Sequence, residues 1–414
     1  MKGDVPGKAR PLSTFPYPQM KTRPFTILAL LVVSVSACHS RHGGTAERDA
    51  DDTLQSALQD SLFALASQYP DTCTIRYAQC LRITHESGVD YVDIADPVDK
   101  NAPEAHLAIC RAAADKTILR EGYTPVKAPV KGLIITTALQ MSNFSAIGRL
   151  DCIVGINSMH HLCNPVMRRQ IADGHTLEIG KEGAFNQELV VASHPDLILV
   201  SASKRGGFSQ LKDCGIPLVV HHGYKETDPL GQAEWVKFAG LLTGETARAN
   251  AVFSHIESQY NGLRDRVAKS GVERPTVLSG SQVREGWYVV GGKSYLARLF
   301  EDAGADYIFK DNEETGGRNI DFEAAYAQSL QAEFWQIDGN FQGSFSYQRL
   351  QAEDPRYADL QAFRTHRVVF CDFSATPYRE QAPMEPHVLL ADFVKAFHPE
   401  LLPDYKPHYY QLLE

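Results

Sequence analysis

"TGETARANAVFSHIESQYNGLRDRVAKSG", residues 243–271, places apolar side chains at Phe253, Ile256, Tyr260, Leu263 and Val267, at spacings of 3, 4, 3 and 4. That repeat keeps a single apolar stripe on one side of a helix. Thr243-Gly244 interrupts the helical pattern ahead of it and Ser270-Gly271 ends it, so the stretch predicts one element approaching 25 residues, about 40 Å at 1.5 Å rise per residue. A helix of that length can serve as a spine between two lobes.

On both sides of it the chain alternates short β runs with helix-period segments. Before it come "GLIITTALQMSNFSAIGRL" (132–150), "DCIVGI" (151–156), "DLILVSASKRGGFSQLKDCG" (196–215) and "PLVVHH" (217–222); after it come "RPTVLSGS" (274–281), "GWYVVGG" (286–292), "SYLARLFEDAGADYIF" (294–309), "AEFWQID" (332–338) and "RVVFCDF" (367–373). Brief runs rich in Ile, Leu and Val, each followed by a helical segment, are the pattern of a parallel sheet covered on both faces. The expected fold class is α/β, with two Rossmann-like lobes joined by one long spine helix and a ligand cleft between them. "LRITHESGVDYVDIADP" (81–97) alternates about Ser87-Gly88 as a hairpin does, and marks the start of the folded body.

Near the N-terminus, "MKTRPFTILALLVVSVSACHS" (20–40) puts Lys21 and Arg23 ahead of an apolar run, Phe25 to Val35, that stops at small residues and a cysteine. The run is short for a membrane span and has the flanks of an export signal. Val35-Ser36-Ala37-Cys38 resembles the bacterial lipobox, which makes Cys38 the expected lipidated N-terminus, with Met20 as an alternative start. The expected divisions are 1–37 signal peptide, 38–55 lipidated flexible tether, 56–229 N-terminal lobe, 230–272 connecting helices including the spine, and 273–414 C-terminal lobe.

At 43% hydrophobic and 22% charged over 414 residues, the chain holds ample material for more than one core. Its formal charge is −9, and cleavage before Cys38 would remove five basic residues (Lys2, Lys8, Arg10, Lys21, Arg23) and one acid (Asp4), taking it to −13. So acidic a surface argues against nucleic acid as a partner and leaves membrane attachment to the lipid anchor alone. Seven cysteines follow Cys38, an odd number for an oxidising compartment, and none stands in a CxxC or Cys/His zinc spacing. Cys73–Cys80 and Cys152–Cys163 are near enough in sequence to pair.

The chain lacks a GxSxG elbow, a P-loop, an HExxH motif and a GxGxxG turn. No enzymatic activity and no cofactor is expected. Gly291-Gly292 reads as a tight turn feeding a helix. His160-His161 and His221-His222 each follow a strand, at the edge where open α/β sheets face ligand. They can be metal or chelate contacts, or simply hydrogen-bonded histidines. Tyr224, Arg284, Trp287, Tyr288 and Ser158-Met159 occupy similar positions and suit a large planar or anionic ligand. Glu188 follows Asn186 at a helix start, and Glu323 repeats the design before "AEFWQI" in the second half. One acid at equivalent places on two lobes is ill suited to paired acid/base chemistry and well suited to docking on two equivalent subunits.

These segments in this order, "FNQELVVASHPDLILVS" and "ETDPLGQAEWVKFAGLLTGETARA" among them, resemble the helical-spine (class III) substrate-binding proteins of bacterial ABC importers that serve ferric siderophores, haem and cobalamin. "PLGQAEWVKF" and "ADFVKAFHPELL" look like the Bacteroidetes-type lipoprotein branch. The resemblance implies an iron chelate or corrinoid as ligand and an ABC permease dimer as partner, with Glu188 and Glu323 as the permease-docking acids. It also implies a periplasmic location, and ligand loops containing Thr136-Thr137, Ser158, Met159, His160, His161, Lys181, Phe185, Ser201, Lys204, Arg284, Trp287, Tyr288 and Asn340, beside Tyr224. A receptor for bare zinc, manganese or iron, held by His160 or His161, His221 or His222 and Glu226, is the alternative. A two-lobe enzyme is the reading from another class, and the export signal counts against it.

Overall fold

The computed structural model describes residues 56–111, 119–159, 162–181, 183–201, 208–341 and 343–414. Cys38, His160, His161 and Lys204 lie outside the described residues. The chain divides after Asp52 into two units, and all the described residues belong to the second, Thr53–Glu414.

Strands β1 (Leu81–Glu86) and β2 (Val89–Ile94) form the expected hairpin, with Ser87 at φ 49° and Gly88 at φ 81°, the left-handed pair that a two-residue turn requires. The alternation in sequence showed this hairpin but not the sheet it belongs to. β3 (Ala105–Cys110) pairs antiparallel with β2, and β4 (Thr124–Lys127) pairs parallel with β3. Val92, Ile94, Leu107, Ile109 and Val126 turn one face of this sheet into the main core. The other face carries a polar ladder in which Asp93 accepts hydrogen bonds from Arg82 at 2.8 Å and from the Tyr123 hydroxyl at 2.7 Å.

The N-terminal parallel sheet comes next in the chain. Its elements are β5 (Leu133–Ile135), α1 (Ala138–Ala146), β6 (Ile153–Ile156), α2 (Pro165–Ala172), β7 (Leu177–Glu178), the small hairpin β8 (Gly180–Lys181) and β9 (Ala184–Phe185), α3 (Gln187–Ala192), β10 (Leu197–Val200) and β11 (Leu218–Val220). The order β11-β10-β5-β6-β7 is parallel throughout. Every residue of β5 and β10 is buried, as in a sheet covered on both faces.

Three consecutive helices cross from this sheet to the next: α4 (Pro229–Glu234), α5 (Val236–Thr243) and the spine α6 (Thr246–Ser270). Left-handed glycines, Gly244 at φ 74° and Gly271 at φ 70°, close α5 and α6. The stripe faces inward at Phe253, Ile256, Tyr260 and Val267, while Leu263 sits at its margin, half-buried.

The second lobe contains β12 (Thr276–Ser279), β13 (Ser281–Val283), β14 (Gly286–Val290), α7 (Tyr295–Asp302), β15 (Asp306–Tyr307), β16 (Gly317–Asp321), α8 (Phe322–Ser329), β17 (Phe334–Gly339), α9 (Tyr347–Glu353), β18 (Val368–Asp372), α10 (Tyr378–Gln381), α11 (Pro386–Phe397) and β19 (Gln411–Leu412). Its main sheet runs β15-β12-β17-β18-β19, with β19 antiparallel at the edge, and β13-β14-β16 form a separate antiparallel sheet. Gly291 and Gly292 pack backbone to backbone against residues 310–316. A Cβ on them would stand 2.0 Å from Glu314 O and 2.3 Å from Lys310 O. One hydrophobic cluster runs from the first parallel sheet through α5, α6 and α11 to Val277, Phe334 and Val369 of the second. The two α/β lobes therefore share a core. Among the described residues no cysteine pair is disulfide-bonded, and burial pushes the Cys80 and Cys152 thiols up to about 12.

Two buried carboxylates weld the start of the body to the helical layer. Glu234 accepts the backbone N–H groups of Arg76, Tyr77 and Ala78 at 2.7–3.0 Å, and Glu226 accepts those of Gln79 and Cys80 at 2.7 and 3.0 Å. Lys237, itself buried, donates to Glu234 at 2.6 Å and to Thr74 O at 2.7 Å. Gly231 lets this turn approach, because a Cβ there would lie 3.0 Å from Tyr77 O. Glu234→Ala leaves three amides unsatisfied and the Lys237 ammonium without its counter-ion. Urea unfolding is expected to show a loss of about 3–5 kcal/mol, the scale of a broken buried ion pair.

Candidate ligand cleft

In the first sheet β5 leads to β6 and β7 on one side and to β10 and β11 on the other, so strand order reverses between β5 and β10. Crevices for ligands open at the C-terminal ends of strands beside such a reversal. Thr136-Thr137 and Ser201 stand there, at the ends of β5 and β10. Thr137 caps α1 in a capping box, and the Gln140 side-chain oxygen accepts both Thr136 N–H and Thr137 N–H, so this corner is stiff. Ser158 and Met159 follow β6. Ser158 N–H donates to Gly180 O at 2.8 Å, which joins the β8–β9 hairpin to the same edge.

The corresponding end of the second sheet meets this edge. α10 follows β18, and its Glu380 carboxylate accepts Cys163 N–H at 2.6 Å and Asn164 N–H at 2.7 Å, in the loop that leaves β6. Burial raises the Glu380 pKa against the pull of those two amides. Asn143 of α1 places its Nδ2 3.2 Å from Met384 Sδ. The strand-end loops of the two lobes thus face a common gap, bridged by α10. Asp338 and Asn340, at the end of β17, are exposed at that gap's second-lobe side.

The expected ligand residues are distributed unevenly. Lys181 is exposed on β8, whereas Phe185 is buried against Phe208, their rings stacked at 6.4 Å. Trp287 and Tyr288 part company because neighbours on a strand point to opposite faces. Trp287 is fully buried among Phe322, Trp335 and Tyr357, with its N–H donating to Ser279 O, so it is a core residue and offers no surface to a ligand. Tyr288 is exposed on the same strand, and Arg284 is exposed at the β13–β14 turn with φ 56°. Tyr224 is half-buried, and burial pushes its hydroxyl up to about 12.

His221 and Glu226 have no donor atom left for a metal. Gly223 N–H donates to His221 Nδ1 at 3.3 Å, which makes Nε2 the protonated nitrogen, facing Asn143 Oδ1 at 3.2 Å. The ring lies 4.1 Å from that of Trp235. Burial, and secondarily the neighbouring His222, push its pKa down to about 3. The Glu226 oxygens hold Gln79 N–H, Cys80 N–H and Trp235 Nε1–H. His222 Nε2 bonds to Pro103 O at 2.8 Å, and its Nδ1 is buried without a partner among the described residues.

Glu188 and Glu323 sit at the same place in their elements. Each is the second residue of a helix, α3 or α8, and each helix is capped from two residues before the acid: Asn186 accepts Leu189 N–H, and Asp321 accepts Ala324 N–H. Both acids are exposed. Glu323 pairs with Arg356 at 2.8 Å, over the Phe322 ring, while Glu188 has no ion-pair partner among the described residues. A polar pocket of about 640 Å³ lies elsewhere, at the β15 edge, where Thr227 and Asp228 face Arg274, Lys293, Arg298 and Lys310. It contains none of the expected ligand residues.

With this geometry established, the family profile described as "Periplasmic binding protein" matches residues 134–375, more than half of the chain. The chain belongs to the periplasmic binding protein family. An uncharacterized lipoprotein of Methanocaldococcus jannaschii is 23% identical over 404 residues, spanning 94% of this chain and 100% of its own. A second from that organism is 23% identical over 304 residues, 71% of this chain and 72% of its own. A periplasmic heme binding protein from Pseudomonas aeruginosa superposes with a TM-score of 0.52 at 20% identity, covering 67% of this chain and 95% of that one. A periplasmic binding protein from Veillonella parvula does so with a TM-score of 0.55 at 12% identity, covering 75% and 98%. At such identities the superpositions speak for the fold, that of the class III periplasmic binding proteins.

Asp338, Glu380 and Arg379 of this periplasmic binding protein carry no motif that marks them in the sequence. Gln336 and Asp338 share a face of β17 because side chains alternate along a strand. A neutral His221 also has a thermodynamic consequence. Its folded pKa lies below the ordinary 6.5, so its contribution to stability is complete above about pH 6.5 and is lost as pH falls towards 3. Denaturation measured from pH 7 to pH 4 is expected to show falling stability, and His221→Gln to flatten that slope by up to about 1.4 kcal/mol per pH unit.

Proposed function

We propose that this protein is the solute receptor of an ABC importer. It is anchored at the membrane through Cys38, takes up an iron chelate (siderophore or haem) or a corrinoid between its lobes, and passes it to the permease without chemical change. The observation that carries the reading is the pair of parallel sheets whose C-terminal ends face one gap across a shared core. Such a gap suits capture of a bulky ligand, with small motions of the lobes in place of wide hinge opening. The bare-ion alternative loses His221 and Glu226, whose donor atoms are already committed.

Glu188 and Glu323 are the docking acids in this reading, one per lobe, each offered at the second residue of a capped helix. Arg356 shields Glu323 in the free protein. An ion pair this exposed is screened by solvent and contributes little to stability, so a permease arginine can displace it easily. Glu188→Arg and Glu323→Arg are each expected to abolish uptake in cells while leaving ligand affinity within twofold. A severalfold loss of affinity in either variant would move that acid from docking to ligand contact.

The lipoprotein names of the Methanocaldococcus jannaschii relatives support the anchor. Cys38→Ala is expected to shift the exported protein from the membrane fraction to the soluble fraction. Persistence in the membrane fraction would sink the lipid-anchor reading.

A further inference from the structure

Along β17, Phe334, Gln336 and Asp338 alternate on the face turned towards α11 and the end of the chain, where Phe334 packs on Phe397 at 5.0 Å. Asp338 is the last of the three, at the strand's C-terminal end, and it is exposed to solvent. Phe373 N–H donates to Gly339 O at 2.8 Å, which sets the loop after β18 beside it.

The carboxylate is held in place. Tyr410 O–H donates to Oδ2 at 3.0 Å and Gln336 Nε2–H donates to the same oxygen at 2.8 Å. Gln336 is oriented in turn by Ser279 O–H, which donates to its Oε1 at 2.6 Å, and Tyr410 bonds to the Tyr378 hydroxyl. Oδ1 has no partner among the described residues. Arg379 on α10 is exposed and directly follows Tyr378, the residue bonded to Tyr410. It stacks 5.2 Å from the Phe373 ring and makes no ion pair among the described residues. Phe373 and Tyr378, their rings 4.7 Å apart, supply the apolar surface between them.

We propose that Asp338 and Arg379 are the specificity-determining pair of the cleft. The ligand is then a bulky metal chelate of low net charge that presents an amide N–H or ammonium to Asp338 and a single compact anionic group, a phosphate or carboxylate, to Arg379. The inference rests on the cleft being the ligand site proposed above. A free carboxylate oxygen on a fixed support accepts hydrogen bonds and repels anions. A dicarboxylate macrocycle can satisfy Arg379 with one arm only, and its second arm meets Asp338 as a like charge. An amide-fringed macrocycle with one phosphate meets both residues with complementary groups.

The test titrates the mature protein with three coloured probes, followed by absorbance and calorimetry: cyanocobalamin (amides and one phosphate), dicyanocobinamide (amides without the phosphate) and haemin (two carboxylates). Cyanocobalamin is expected to bind at least tenfold tighter than haemin. Asp338→Asn should narrow that ratio severalfold with an unchanged thermal melt. Arg379→Gln should weaken cyanocobalamin while leaving dicyanocobinamide within twofold. Haemin binding as tightly as cyanocobalamin, or an Asp338→Asn protein with wild-type ratios, overturns this inference alone. Failure of all three probes to bind overturns the chelate-receptor reading, and this inference with it.

Discussion

Five successive backbone amides, 76 to 80, end on two carboxylates, and the rest of the molecule depends on that contact. Glu234 ends α4 and Glu226 precedes it, and each would be prohibitively costly in the interior if left unpaired. The amides of an irregular turn would be similarly costly if buried alone. Each problem removes the other. The first sheet is thereby fastened to the helices that carry α6, at a site where a missing partner leaves a charge with nowhere to go.

The same device recurs where long-range parts of the chain must be joined. Asp392 of α11 accepts His408, Tyr409 and Tyr410 N–H at 2.7–2.9 Å and so fixes the tail whose Tyr410 supports Asp338. Asp196 accepts Lys131 and Gly132 N–H ahead of β5. Glu380 holds the loop after β6 from the opposite side of the gap. Charge-assisted bonds to consecutive amides are strong and directional. They place the strand ends of two sheets with little slack, which suits a receptor whose cleft is largely preformed.

How legible each feature was depended on how local its cause is. The spine helix and the β1–β2 hairpin follow from periodicity and turn residues within one segment. The third and fourth strands of the opening sheet do not, because their pairing is set by register with β2 rather than by their own pattern. Trp287 and Tyr288 look alike in sequence, and only the face of β14 separates a core tryptophan from an exposed tyrosine. His221 and Glu226 carry metal-ligand chemistry in the sequence, and their neighbours Asn143, Gly223, Gln79 and Trp235 use it for packing and support. Of the candidate site, the strand-end loops were legible, but the choice of side chains within them was not.

By itself the sequence determined the α/β class, the two lobes and the long helix between them, because helix and strand periods are read from neighbours a few residues apart. Tertiary structure alone decided that the two lobes share one core. It also decided which carboxylates are occupied by backbone amides, and that an Asp338 oxygen is left without a protein partner, and Arg379 without an ion pair, among the described residues. Those outcomes turn on contacts between residues dozens to hundreds apart, such as Glu380 with Cys163, or Tyr410 with Asp338. No local pattern encodes whether a charged side chain will find its partner within the protein or be left to face a ligand.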